Sequence, residues 1–541
     1  MAVFDNAVRR VAAASAKASQ IERDRAAPRG LPLSTQRTHS RSLVFNVPMQ
    51  FLDVVLTIGQ IRSTTSRTAK AHAVAECLAA ASMDEIGVVA AFLSGRLAQR
   101  RTGVGWASLT DLPEPAQSAS LSVSEVDSAM ASLQALSGSG SSAQRAVEVA
   151  RLFAAATGPE QSELRALMLG DLRAGAKEAT VVEGISRAFD VPLAQVRRAV
   201  MLTGSAPRVA QLAAAGADLT GLTLEVGSPA HPMLASSAPS VSEAVSQVGL
   251  PCVVDAKLDG IRVQVHRRGD QVSVWSRTLD DLTGRFPAIE AAVLALPVHQ
   301  VVLDGEGLSI GADGRPSLFQ DTAAGMHPLQ PFFFDVLHID GEDLHDQSLA
   351  QRRARLEQVV PDSQRPFSQV VSSHDEAEAV WTSTLAAGHE GVVVKSLDGR
   401  WEAGRRGAGW IKVKPRHTFD LVVLAVEWGS GRRRGHLSNI HLGARTDDGF
   451  VMVGKTFKGM TDAMLAWQTA RFLELETHRE GHVVYVEPVQ VVEIAIDGLQ
   501  RSRRYPGGVA LRFARVLGYR HDKSAEHTDT LETLKAPFGV S

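Results

Sequence analysis

The hydrophobic pattern of this chain changes period once, and that change divides what the chain can fold into. From about Met49 to Gly221 apolar residues recur at helical spacing, in segments such as AKAHAVAECLAAAS and VSEVDSAMASLQAL separated by short polar joints. After the Pro- and Ser-rich stretch LEVGSPAHPMLASSAPS, residues 224–240, short runs of alternating or continuous apolar residues take over, the pattern of strands. The run SGSGSS at 137–142 interrupts the helical pattern without ending it and reads as a flexible loop between two helices. The expected fold class is multidomain α+β, with an all-α part first.

A chain of 541 residues, 44% hydrophobic and 21% charged, has material for three or four such parts. Divisions are expected at 1–48, 49–223, 224–415 and 416–541. The first of these, rich in Ala, Arg and Ser, is expected to be a disordered extension. Its stretch VFDNAVRRVAAASAKASQ has the amphipathic look of an organelle transit peptide, but Asp5, Glu22 and Asp24 fit that poorly, and Met49 is an alternative start of translation. Two cysteines, Cys77 and Cys252, cannot make a four-thiolate zinc site or a disulfide framework. With no apolar run of about 18 residues to span a bilayer, a cytoplasmic protein without a membrane partner is expected. The net charge of −2 excludes a uniformly basic surface, so any nucleic-acid contact must come from local clusters of Arg and Lys.

The stretch VVDAKLDGIRVQV at 253–265 sets one lysine at a strand entrance. Ile261, Val263 and Val265 alternate with Arg262, Gln264 and His266, Gly269-Asp270 turns the chain, and a second strand follows, so a hairpin is expected. Lys257 beside Asp259 and a bend-permitting glycine is either a surface lysine or an amine aimed into a pocket. Downstream come SRT at 276–278, VVLDGEGL at 301–308, PFFFDVLHIDG at 331–341, EGVVVK at 390–395 and GWIKVKP at 409–415. Each sets charged or aromatic residues in or beside an apolar strand, and each alone is equally a solvated strand end or a piece of core. In the helical half, SGRLAQRRTGVGWASL and LMLGDLRAGAKEATV combine arginines with Gly103, Gly105, Gly170 and Gly175. Helix-end glycines of this kind either grip a phosphate through free backbone N–H groups or merely cap and connect helices.

In sequence and in order, Lys-Leu-Asp-Gly-Ile-Arg, Ser-Arg-Thr, Asp-Gly-Glu, Phe-Phe-Asp, Glu-Gly-Val-Val-Val-Lys and Trp-Ile-Lys-Val-Lys resemble the motifs of the covalent nucleotidyltransferases. The last motif, LRFARVLGYRHDK at 511–523, together with TGVGW and GDLRAGAKE in the helical half, makes the chain similar to the large ATP-dependent DNA ligases over roughly residues 49–530. Two positions depart from that pattern: Ala514 stands where relatives often have proline, and Asp255 where a longer glutamate is common.

The resemblance implies a helical DNA-binding domain, an adenylation domain and a C-terminal OB-fold β-barrel. It implies Lys257 as the nucleophile that takes AMP from ATP, and ATP contacts from Asp255, Arg262, Arg277, Glu306, Phe334, Lys395, Arg406, Lys412 and Lys414. Phe334 would stack on adenine, and Glu306 and Glu390 would hold Mg²⁺, with Mn²⁺ an alternative. Arg520, Asp522 and Lys523 would approach the β- and γ-phosphates during loading, after which the barrel would swing about Lys414-Pro415-Arg416. A lysine amine is ordinarily an ammonium at neutral pH, so the site is expected to set positive charge or burial against it, with Arg262, Lys395, Lys412 and the metal as sources. The partner implied is nicked duplex DNA, encircled by a monomer. Arg432, Arg433 and Arg434 are either phosphate contacts or a solvated loop.

Other readings share the lysine chemistry: an RNA ligase or messenger-RNA capping guanylyltransferase, which the helical half disfavours, and an NAD-dependent ligase, whose usual zinc module two cysteines cannot build. A catalytically inactive nick-binding scaffold is the reading from another class, and the intact set Lys257, Glu306, Glu390 and Lys412 speaks against it.

Overall fold

The computed structural model describes residues 48–99, 102–170, 178–311, 316, 328–402 and 406–539. The expected extension before Pro48 and the Gly175 segment lie outside the described residues, as does the side chain of Arg406.

Among the described residues the regular elements from Phe51–Ser63 to Ala206–Ala214 are helices. Their apolar stripes close on one core in which Phe51, Ile58, Leu78, Phe92, Met130 and Phe153 are fully buried. Helix Val123–Ala135 opens on a reciprocal cap, the Ser122 side chain accepting from the Glu125 N–H and Glu125 accepting from the Ser122 backbone. The loop expected at 137–142 ends at Gly140, and Ser141 and Ser142 already belong to the next helix, Ser141–Ala155.

The chain then forms β1 (Leu234–Ser237), β2 (Cys252–Lys257), β3 (Ile261–Arg268), β4 (Gln271–Ser276), β5 (Gln300–Leu308), β6 (Gln330–Ile339), β7 (Glu342–Asp343), β8 (Ser368–Val371), β9 (Gly391–Ser396) and β10 (Arg406–Val413). They build two five-stranded sheets, ordered β1-β10-β9-β2-β8 and β4-β3-β5-β6-β7. The expected hairpin is β3–β4, antiparallel from Val263 opposite Ser276 to Arg268 opposite Gln271.

Alternation along β3 suggests one core face and one solvent face. The structure buries both: Gln264 and His266, on the polar face, are 4% and 1% exposed. The connector after Gly221 lies across that face and spends its backbone groups there. Gly227 N–H donates to His266 Nδ1 (2.9 Å), Ala230 N–H to Gln264 Oε1 (2.8 Å), and Arg262 Nη1 to the Met233 carbonyl (3.1 Å). These bonds are why a polar face can go under cover, since an unpartnered buried polar group is costly. Under the connector, Leu202 from the helical half, Leu224, Val226 and Met233 pack with Val302, Leu337, Trp401 and Trp410 in a single apolar cluster.

The C-terminal strands are β11 (His417–Trp428), β12 (Leu437–Thr446), β13 (Gly449–Thr456), β14 (Glu476–Glu480), β15 (Val483–Val486), β16 (Val491–Ile496), β17 (Gly498–Arg501), β18 (Val509–Arg512) and β19 (Arg515–Arg520). A closed barrel is expected from the sequence, whereas the pairing described is an open seven-stranded sheet, β13-β12-β11-β15-β14, with β16 branching from β11 and β19 pairing with β16. The cause is the length of β11. Its first half pairs with β16 and its second with β15, and a register shift against β12 between Val423 and Ala425 falls where one partner gives way to the other, so the sheet forks instead of closing into a ring.

Burial, reinforced by His338 and Arg268, pushes the His266 imidazole down to about 3. The unfolded chain takes up this proton near the ordinary value of 6.5 and the folded chain resists it, so stability falls as pH drops through that window. His266→Gln should lower the unfolding free energy from urea titration at neutral pH yet flatten its decline between about pH 6 and 4, by roughly 1 kcal/mol per pH unit.

Candidate active site

Lys257 ends β2 in one sheet and Ile261 opens β3 in the other, so Leu258-Asp259-Gly260 is where the chain crosses between them. The crossing is tight: a Cβ on Gly260 would lie 2.4 Å from the Gly307 carbonyl oxygen. The Gly260 N–H donates to Glu306 Oε1 at 3.0 Å, which brings the β5 carboxylate beneath the lysine. On the other side Lys257 stands opposite Gly391 in the β2–β9 register, and Glu390 is therefore delivered to the amine. Gly391, at φ +145° and with a Cβ position 2.2 Å from the Val413 carbonyl oxygen, lets β10 pass close enough to bring Lys414 to the same carboxylate.

Glu390 accepts from Lys257 Nζ on one oxygen and from Lys414 Nζ on the other. Burial pushes its carboxyl up, but Lys257 and Lys414 together outweigh burial and hold it below the usual range. For Glu306 the balance is reversed, and burial raises the carboxyl despite Lys257, Arg262 and the Gly260 N–H. Positive charge or burial is expected around Lys257, and the structure also sets a carboxylate, Glu390, directly against its amine.

Arg262 and Lys395 are each neutralised within the wall. The Arg262 guanidinium forks onto Asp304 and lies 5.0 Å from the Phe334 ring centroid. Lys395, 3% exposed, sits 2.5 Å from Asp255 and over the Trp410 and Phe334 rings at 4.2 and 4.8 Å. Phe334 and Trp410 meet edge to face at 5.8 Å. The second oxygen of Asp255 accepts from Ser368 Oγ, so both of its oxygens are engaged.

These groups, Asp304 and Ser368 excepted, line a cavity of about 850 Å³, together with Lys412 and Arg277, the latter on an exposed turn after β4. That is the size of a site for a nucleotide-sized ligand. Its opposite wall comes from the C-terminal part: Lys458, Arg512, Phe513 and Arg515. Arg512 pairs with Asp259 at 3.0 Å, and Lys414 lies 3.7 Å from Asp497. Phe513, at φ +55°, is 58% exposed with Lys458 Nζ 5.5 Å from its ring centroid. Sequence reading missed Trp410, Lys458 and Phe513 as site residues, although GWIKVKP and LRFARV contain the first and last of these.

Arg520, Asp522 and Lys523 are not brought to the cavity. They gather around Asp420 of β11, Arg520 Nη1 at 3.0 Å and Lys523 Nζ at 2.8 Å from its carboxylate, while Asp522 forks onto the Arg520 guanidinium. Arg433 donates to the Phe457 carbonyl within its own part of the fold. Among the described residues no helix is long and apolar enough to cross a membrane.

Comparison with known proteins agrees with this architecture. The family described as "ATP dependent DNA ligase domain" matches residues 232–414, "ATP dependent DNA ligase C terminal region" matches 433–523, and "DNA ligase N terminus" matches 107–186. A "Probable DNA ligase" of Nocardioides sp. is 54% identical over 502 residues, spanning 90% of this chain and 98% of the relative. Another, from Beutenbergia cavernae, is 52% identical over 514 residues, 91% of this chain and all of the relative. The solved structure Pmar-Lig_PreS3 shares the fold with a TM-score of 0.59 at 20% identity, over 86% of this chain and 99% of that one. The chain is thus a multidomain α+β ligase with a nucleotidyltransferase core. It belongs to the family of ATP-dependent DNA ligases.

The opposed shifts of the two carboxyls are open to direct measurement. In carbon-13 spectra of glutamate-labelled protein, Glu306 should titrate above and Glu390 below the ordinary carboxylate range, and Lys414→Ala should move the Glu390 titration up by removing one of its two cations.

Proposed function

We propose that the chain seals nicks in duplex DNA in three steps that begin with covalent capture of AMP on Lys257. The observation that carries this reading is one cavity wall that sets an amine, two carboxylates and the Lys412 and Lys414 cations beside an aromatic recess. In the first step Lys257 Nζ, having shed its proton and left Glu390, attacks the α-phosphate of ATP. A P–N bond forms and the bond to pyrophosphate breaks. In the second, an oxygen of the nick's 5′-phosphate displaces the amine, giving an AMP-capped end. In the third, the neighbouring 3′-hydroxyl attacks that phosphate, AMP leaves, and the strand is closed. The duplex holds both ends together, which supplies the effective concentration the last step needs.

Phe334 and Trp410 would hold the adenine ring, with Lys395 and Asp255 as the polar edge of the recess. Lys412 and Lys414 would meet the α-phosphate charge, and Arg277 reaches the same space from its turn. The donor set fits a hard divalent ion: Glu306 and Glu390 offer two carboxylates, and among the described residues no third His, Cys, Asp or Glu completes a cage. Mg²⁺ is commonly held by one or two carboxylates plus substrate phosphates, and Mn²⁺ accepts the same ligands. When bound, it would neutralise charge on the phosphoryl oxygens.

In this reading residues 49–223 grip the duplex and 224–415 carry the chemistry; Gly170 follows the C-terminus of helix Gly158–Met168 with its N–H given to the Leu167 carbonyl, so it caps that helix. Residues 416–541 act as an OB-fold whose Arg520, Asp522 and Lys523 serve loading. The enzyme works as a monomer around nicked DNA, in the cytoplasm at the nucleoid, and Lys414-Pro415-Arg416 is the hinge.

Lys257→Ala should abolish AMP labelling from radioactive ATP while duplex binding persists, and Lys257→Arg should not restore it because guanidinium stays protonated. Label on the alanine variant would rule out this nucleophile.

The division of labour is tested with a nick supplied already adenylated, which carries no β- or γ-phosphate. Changing Asp522 and Lys523 together to alanine should cripple reaction with ATP and spare this sealing, whereas Glu306→Ala or Lys412→Ala should lower both by about a hundredfold or more.

A further inference from the structure

Asp420 has no part in the site described so far, yet it organises the three residues assigned to loading. It lies in β11, four positions after the segment Pro415-Arg416, with its side chain 11% exposed. Its carboxylate takes Arg520 Nη1 at 3.0 Å and Lys523 Nζ at 2.8 Å. The other edge of the guanidinium is fixed by Asp522, through Nε at 2.9 Å and Nη2 at 2.7 Å. The Asp420 backbone is itself pinned, its N–H donating to Asp529 Oδ2 at 2.7 Å and its carbonyl accepting from the Asp529 N–H at 2.9 Å. A buried carboxylate on a clamped strand therefore fixes two long, flexible cations that lie three residues apart on a strand end and the turn beyond it.

Charge counting makes the arrangement informative. Arg520 and Lys523 contribute two positive charges, and Asp420 and Asp522 two negative, so these four side chains cancel, while Asp529 and Glu493 add further negative charge beside them. For an anion-binding group this is costly on Coulomb grounds, and deleting Asp420 would by charge alone improve attraction for a triphosphate. The carboxylate makes sense if order outweighs charge. Arginine carries five N–H donors and lysine three, so both cations keep donors beyond those given to the aspartates, and holding them in place spares the entropy of ordering two rotamer-rich side chains when the phosphates arrive.

We propose that Asp420 is a positioning residue for loading: it holds Arg520 and Lys523 as a preset pair of donors for the β- and γ-phosphates of ATP. This rests on the loading role given above to Arg520, Asp522 and Lys523.

The test uses the full chain and two reactions, AMP capture from labelled ATP and sealing of a pre-adenylated nick. Asp420→Asn should raise KM for ATP about tenfold with kcat for capture within about twofold, leave sealing of the pre-adenylated nick within about twofold, and be partly rescued by Asp420→Glu. An unchanged or lowered KM would overturn the proposal, the lowered value being what charge alone predicts. Equal loss in both reactions would also overturn it, marking Asp420 as a purely structural residue. If the asparagine variant does not fold, as judged by circular dichroism, Asp420→Ser, which also removes the carboxylate, decides: a raised KM with sealing retained supports the proposal and a wild-type KM overturns it. Lys523→Ala separates the two levels, since normal capture by that variant would refute the loading role itself, whereas impaired capture beside a wild-type KM in Asp420→Asn refutes only the positioning.

Discussion

A single crossing of the main chain, at Leu258-Asp259-Gly260, fixes where the reactive groups of this protein stand. Because the chain leaves one sheet at Lys257 and enters the other at Ile261, the amine is set at the junction of two sheets and not on the face of either. Each sheet then sends one carboxylate to it, Glu390 from just before β9 and Glu306 from β5, through backbone registers that leave little freedom. The crossing depends on a residue without a side chain, since any Cβ at Gly260 would run into the Gly307 carbonyl. Asp259, in the middle of the crossing, also reaches across to Arg512, so the same three residues help set the opposite wall.

The charges around this junction are sorted by depth. Arg262 and Lys395, the deeper cations, are matched to Asp304 and Asp255 and lie over aromatic rings, so they stiffen the recess more than they offer open charge. Lys257 and Lys414, nearer the open space, share the one carboxylate of Glu390. An incoming phosphate therefore competes with Glu390 for two lysines at once, while the deeper pairs stay as they are. Burial works on the two site carboxyls equally in sign, and the difference between them is the number of lysines in direct contact.

Much of this could be read before any coordinates. The switch from helical to strand period near residue 224, the β3–β4 hairpin and the order of the charged motifs are local signals, and local signals survive in sequence. What could not be read depends on distant partners. Gln264 and His266 look like a solvent face because the connector that covers them lies more than thirty residues away. Lys395 looks like a phosphate cation because nothing in EGVVVK announces Trp410 and Asp255 around it. Asp420 sits in the plain apolar run FDLVVLAV, and its partners Arg520 and Lys523 are a hundred or more positions on. The forked sheet was equally hidden, for a twelve-residue strand says nothing by itself about taking two partners on one edge.

The apolar cluster beneath the connector bears on how such a chain can be rebuilt. Leu202 of the helical half and Trp410 of the aromatic recess belong to the same packed group, with Leu224, Val226 and Met233 between them. The junction near residue 224 is therefore a seam in the sequence but a shared interior in space. A graft that exchanged the helical half for a foreign one, or trimmed it away, would uncover Val302 and Leu337 behind the ring wall. Modularity in this protein is available only to an exchange that carries the Leu202 contact and the connector along with it.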